Sequence, residues 1–161
     1  MSASARPELT FDHVGLVVRD LKSGFGNVCG LLPIVSATRV YDDQVLGVSV
    51  QFLRDASGVI FELIAPLGDE SPVAKIAASG RGVINQVAYR VKNLADAAEY
   101  FRARRAVPTG PAKPAIAFDG ALVQFFLTRE SVFPFRSSSS LQSRHSWMTP
   151  YAFCYNKNTV R

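Results

Sequence analysis

The sequence predicts an α+β chain built from two tandem βαβββ modules that form a cupped mixed sheet around a cleft. Three observations predict it. The chain resembles itself at an offset of 73 residues, strand-like and helix-like patterns recur in the same order in both halves, and 48% hydrophobic against 19% charged residues supports a packed core. At 161 residues the chain is one domain, or two small modules sharing a core. The composition excludes global disorder, collagen-like repeats and a coiled coil.

The repeat sets the elements. Shifting by 73 lays Asp12-His13-Val14-Gly15-Leu16-Val17-Val18-Arg19-Asp20-Leu21 on Asn85-Gln86-Val87-Ala88-Tyr89-Arg90-Val91-Lys92-Asn93-Leu94. The same offset carries Gly47 onto Gly120, Val50-Gln51-Phe52 onto Val123-Gln124-Phe125, and Val59 onto Val132. In each copy an apolar strand (14–18, 87–91) runs to an N-capping side chain, Asp20 or Asn93, and a helix follows. In the second helix Leu94, Ala97, Ala98 and Phe101 make an apolar stripe, and Arg102, Arg104 and Arg105 crowd its C-terminal end. Gly24, Gly26 and Gly30 weaken the first helix. Strand-like runs follow at 34–41, 48–54 and 59–65, with Asp55-Ala56-Ser57-Gly58 as a hairpin turn. These patterns divide the chain into a lead (1–9), a first module (10–66), a connector (67–82), a second module with an incomplete last strand (83–136), and an atypical Ser-rich basic tail (137–161). In the connector, Asp69 or Ser71 is expected to cap a short helix with Pro72 in its first turn, and Gly80 and Gly82 to stop it.

Most of the net charge of +5 lies at the C-terminal end: 131–161 holds Arg136, Arg144, Lys157 and Arg161 and no acid, which is +4, against +1 for 1–130. With a nearly neutral body and no basic face, nucleic acid is not an expected partner. No run approaches the roughly 20 apolar residues that cross a bilayer, and the N-terminal stretch lacks a hydrophobic signal core, so the expectation is a cytoplasmic protein with no membrane partner. Cys29 and Cys154 fit neither a metal pair nor a disulfide framework and are expected to be thiols. Gly24-Phe25-Gly26 lacks the setting of a phosphate loop.

His13 opens the first strand, and Glu62 lies 49 residues later inside Val59-Ile60-Phe61-Glu62-Leu63-Ile64. A carboxylate in so apolar a strand must face solvent, pair, or bind a metal. With Asp12-His13-Val14-Gly15-Leu16-Val17-Val18, Val40-Tyr41-Asp42, 48–53, 61–73, 84–89 and 114–120, these residues resemble the vicinal oxygen chelate superfamily, that of the glyoxalases and bleomycin-resistance proteins. Within it they are most similar to the methylmalonyl-CoA epimerase-like branch. The resemblance covers about residues 10 to 133.

It implies a divalent ion (Co, Mn, Ni or Zn) held by four strand residues, two per module, with vicinal substrate oxygens on the metal and a carboxylate moving a proton. Carried over, His13 and Glu62 match the first-copy ligands and Gln86 stands at the second-copy His position. The last ligand position, 49 residues beyond Gln86, falls on Phe135, which cannot ligate. Pro134 also removes a ladder donor from that expected strand. Besides Glu62, Asp43 or Asp42 lies where the branch carries a catalytic carboxylate.

The expected function is therefore that of a metal-dependent isomerase or lyase, epimerase-like or glyoxalase-like, abstracting a proton next to a carbonyl or thioester, with a partly degenerate metal site. The alternative is a metal-free small-molecule-binding protein of the same fold. The expected partners are a small-molecule substrate, an acyl-CoA in the epimerase branch, and a second copy of the chain, because an absent final strand leaves a sheet edge open to pairing. The tail reads as an interaction arm, a disordered end, or the product of a reading-frame change.

Overall fold

The computed structural model describes residues 6–80, 83–127 and 151–155. Among them, ten strands form one mixed sheet. The first module contributes β1 (Thr10–Val17), α1 (Leu21–Leu31), β2 (Ile34–Ala37), β3 (Tyr41–Asp43), β4 (Val48–Asp55) and β5 (Ile60–Pro66). After α2 (Ala74–Ala78), the second contributes β6 (Val83–Arg90), α3 (Leu94–Ala103), β7 (Val107–Pro108), β8 (Lys113–Pro114), a 3-10 turn at Ile116–Phe118, and β9 (Leu122–Leu127), and β10 (Tyr151–Tyr155) completes the sheet. The strand order is β2-β4-β5-β1-β6-β10-β9-β7, with β3 on β4 and β8 on β9.

Local chemistry accounts for the boundaries. The Asp20 carboxylate accepts from Ser23 N–H at 2.8 Å and starts α1, and Asn93 does the same for α3 through Ala95 and Asp96 N–H. Asp55 Oδ1 accepts from Ser57 and Val59 N–H and closes the β4–β5 turn, where Gly58 takes φ +90°. The apolar stripe of α3 is buried through Ala97 and Ala98, with Leu94 and Phe101 packed beside them. The connector helix differs from expectation. Its N-cap position is Val73 with no side-chain cap, and Asp69, Ser71 and Pro72 all precede it.

The modules meet along β1 and β6, antiparallel and related by the repeat itself. Val14 pairs with its own equivalent Val87, while His13 pairs with Ala88 and Gly15 with Gln86. A local two-fold thus passes between Val14 and Val87. The ladder slips by one residue at Asp12 on β1 and at Asn85 on β6, which are themselves equivalents. These are two bulges at one repeat position, and a bulge turns neighbouring side chains toward a common face.

The last strand corrects the sequence reading. Residues 132–136, where it was expected, lie outside the described residues. The place beside β6, parallel to it and antiparallel to β9, is held by Tyr151–Tyr155 from the tail. With β10 there, that position is not an open edge, and the argument for pairing with a second copy through it is withdrawn.

Candidate functional site

Three strands carry one row of residues across the module seam. Glu62 on β5 stands opposite Gly15 on β1, and Gly15 stands opposite Gln86 on β6. Gly15 is required here. A Cβ on it would lie 2.9 Å from Gln86 Cδ, closer still to Cγ, and 3.0 Å from Ile64 Cδ1. With no side chain between them, Gln86 Nε2–H reaches over Gly15 and donates to Glu62 Oε2 at 2.7 Å.

His13, two residues before Gly15 on the same face, completes the cluster and is wholly buried. Its Nε2 lies 3.2 Å from Glu62 Oε2, and its Nδ1 lies 2.7 Å from Asp12 Oδ2. The bulge at Asp12 is what lets two consecutive residues meet side by side. Asp12 Oδ1 is 3.0 Å from Arg90 Nε, an ion pair rather than an aligned hydrogen bond. The rings of Phe52 and Phe118 flank the imidazole at 5.3 and 6.0 Å between centroids.

Burial alone would push the His13 pKa down. Hydrogen bonds to Asp12 and Glu62, and the charges of both carboxylates, outweigh it and raise the value from 6.5 to about 9. Both ring nitrogens face carboxylates, so the imidazolium, a donor at each end, suits the site at neutral pH.

The cluster forms part of the floor of a cleft of about 390 Å³, walled by apolar side chains such as Val50, Ile64, Ile76 and Phe125. That volume suits a small molecule. Among the described residues, both side-chain hydrogen bonds to Glu62 end on Oε2, and Oε1 accepts none.

The structure brings His13, Glu62 and Gln86 together and separates the two aspartates. Asp43 is buried and lines the cleft, but Oδ1 accepts from Val45 and Leu46 N–H and Oδ2 from Ile116 N–H. Asp42 is exposed, bonded to Ser49 Oγ at 2.5 Å, and does not line the cleft. Sequence reasoning missed Asp12, Arg90 and Asn85. The bulges that aim Asp12 and Asn85 leave no trace in the alternation of apolar residues, although the repeat had already aligned the two.

The donor set can be tested against a divalent ion. Among the described residues no cluster of three or more His, Cys, Asp and Glu side chains is arranged to hold one. A site here therefore needs Gln86. His13 Nε2 and Gln86 Nε2 lie 3.2 and 2.7 Å from the same Glu62 oxygen, so three side chains converge on one point. To ligate there, Gln86 would turn its amide to present the carbonyl oxygen, since an amide N–H₂ is a donor only. The fourth strand position carries no donor. Phe153 pairs with Ala88 as Glu62 pairs with Gly15, so the position falls on Phe153 rather than on Phe135.

Two βαβββ modules joined through β1 and β6, with a buried polar cluster on the central strands beside a cleft, define a paired-module α+β class of protein. A family model described as the glyoxalase/bleomycin resistance protein/dioxygenase superfamily matches residues 12–125, and the chain belongs to that superfamily. Solved structures agree on the fold. A hypothetical protein from Bacillus halodurans is 21% identical with a TM-score of 0.71, covering 96% of this chain and 98% of its own. Methylmalonyl-CoA epimerase from Mycobacterium tuberculosis is 18% identical with a TM-score of 0.70, covering 97% and 92%. A methylmalonyl-CoA epimerase in complex with methylmalonyl-CoA and NH4+ is 18% identical with a TM-score of 0.68, covering 95% and 98%. No curated protein sequence matches the chain. Among the described residues no helix is long and apolar enough to cross a membrane.

Proposed function

We propose that the chain is a metal-dependent proton-transfer enzyme, an isomerase or lyase acting next to the carbonyl or thioester of a small substrate, with an acyl-CoA as the first substrate to try. The observation that carries this reading is the meeting of His13, Glu62 and Gln86 over Gly15, with Glu62 lining the cleft and its Oε1 accepting no hydrogen bond among the described residues. His13 Nε2, Glu62 and Gln86 would hold a divalent ion, which when bound would supply Lewis-acid polarisation of the substrate carbonyl.

The remaining chemistry belongs to the chain. Glu62 takes the proton from the carbon next to the carbonyl and returns it to that carbon or its neighbour. Without an ion, Gln86 and His13 hold Glu62 by Oε2; with one they would stand beside it as fellow ligands. The apolar walls keep water from the carbanion-like carbon, and Asp12 holds the His13 ring in orientation. Asp43, whose oxygens already accept three backbone N–H groups, serves as a clamp on the cleft wall rather than as the base. Asp42, turned away, takes no part.

The test is exchange of the C2 proton of methylmalonyl-CoA for deuterium, followed by mass spectrometry, with Co²⁺, Mn²⁺, Ni²⁺ or Zn²⁺ supplied in turn. Exchange with at least one ion, reduced about 100-fold or more in Glu62→Gln, is expected. Exchange that survives Glu62→Gln, or fails with all four ions, defeats the proposal. The second reading, a metal-free binding protein, is favoured by Phe153 at the fourth strand position and by the two carboxylates already engaging His13. It predicts methylmalonyl-CoA binding in excess chelator without exchange.

A further inference from the structure

Asn85 is 8% exposed and lines the cleft, yet its side-chain amide has no hydrogen-bond partner among the described residues. Its repeat equivalent, Asp12, is engaged by His13 and by Arg90. Both stand at a bulge, but the neighbour of Asn85, Gln86, is turned to Glu62, so Asn85 is left without the contact Asp12 makes. A side-chain amide that lines a cleft and makes no hydrogen bond within the protein is available to whatever fills the cleft.

Resting on the proton-transfer reading above, we propose that the Asn85 amide Nδ2–H₂ binds a second acceptor oxygen of the substrate, a carboxylate one carbon removed from the reacting carbonyl. Gln86 belongs to the cluster at the reacting carbonyl, and Asn85, next to it in the bulge, is placed for the neighbouring oxygen. Lys113 is the one cation among the described residues lining the cleft, and it adds positive charge on the same module. The two carboxylates of the cleft, Asp43 and Glu62, both come from the other module. A substrate of this class is oriented by that division, with its acid group toward the second module and its acidic C–H toward Glu62.

The experiment compares methylmalonyl-CoA with propionyl-CoA, which differ by the carboxylate, as ligands of the full chain in chelator, by calorimetry and without turnover. Wild type is expected to prefer methylmalonyl-CoA. Asn85→Leu, similar in size but apolar, is expected to weaken methylmalonyl-CoA roughly ten- to hundredfold and to leave propionyl-CoA unchanged. Asn85→Asp is expected to reverse the preference by charge repulsion. The unliganded Asn85→Leu protein is expected to resist denaturant about as well as wild type, because the amide makes no hydrogen bond within the described residues. A structural amide would instead make that variant less stable. The proposal is overturned by no carboxylate preference in wild type, by a preference kept in Asn85→Leu, by equal loss for both ligands, or by a destabilised unliganded Asn85→Leu. Binding with an Asn85-dependent preference but no proton exchange would leave this inference standing and defeat the enzymatic reading. Exchange with the preference intact in Asn85→Leu would do the reverse.

Discussion

At neutral pH the buried imidazole of His13 carries a proton that two carboxylates hold in place, and that proton is linked to stability. Its folded pKa of about 9 exceeds the unfolded 6.5, so the contribution is fully present below pH 6.5 and is lost as pH rises through about 9. The pKa difference corresponds to about 3 kcal/mol. Denaturant unfolding at pH 6 and pH 10 should show a loss of that order, and His13→Gln should flatten the dependence. The same proton competes with any divalent ion, because only the neutral ring ligates. Calorimetric titrations in buffers of different ionisation heat should therefore show about one proton released per Zn²⁺ bound at pH 7, with affinity rising toward pH 9. Affinity independent of pH over that range would remove His13 from the donor set.

Among the elements, β1 does the most for the site, and its useful features are a bulge and a glycine. Gly15→Ala should displace Gln86 from Glu62 and destabilise the fold by about 1–3 kcal/mol, the range for overpacking in a filled interior, as read by urea melts. Asp20→Ala removes a cap far from the cleft and should cost about 1 kcal/mol while leaving ligand binding unchanged. The two substitutions mark the limit of sequence reading. Asp20 and Asn93 announced their helices because capping is a local contact within three residues of chain. The need for Gly15 is a contact between strands, and the bulges at Asp12 and Asn85 leave a pattern of apolar residues that a regular strand shares. The pairing of His13 with Glu62 came from resemblance. Its buried partner Asp12 was in plain sight, but adjacent residues of a regular strand face opposite ways, and nothing local said otherwise.

Over the whole molecule the repeat was legible because both copies keep the same strand and helix order and the same left-handed glycines, Gly47 and Gly120 at φ +71° and +81°. The final strand was not, because an offset of 73 points to 132–136 and the chain uses 151–155 in that place. The same offset links Asp43 to Ile116, whose N–H it accepts, so one carboxylate ties equivalent points of the two modules. Asp43→Ala should leave three backbone N–H groups unpaired and lower stability by about 3 kcal/mol, with Asp43→Asn intermediate, in chemical denaturation. Fusion of the two copies in a single polypeptide has let them diverge. A homodimer of lone modules would repeat each residue and present two identical half-sites, whereas here the strand positions of His13 and Glu62 in one module are taken by Gln86 and Phe153 in the other. Occupancy should saturate at one molecule per chain, and a guest turned end for end should be refused.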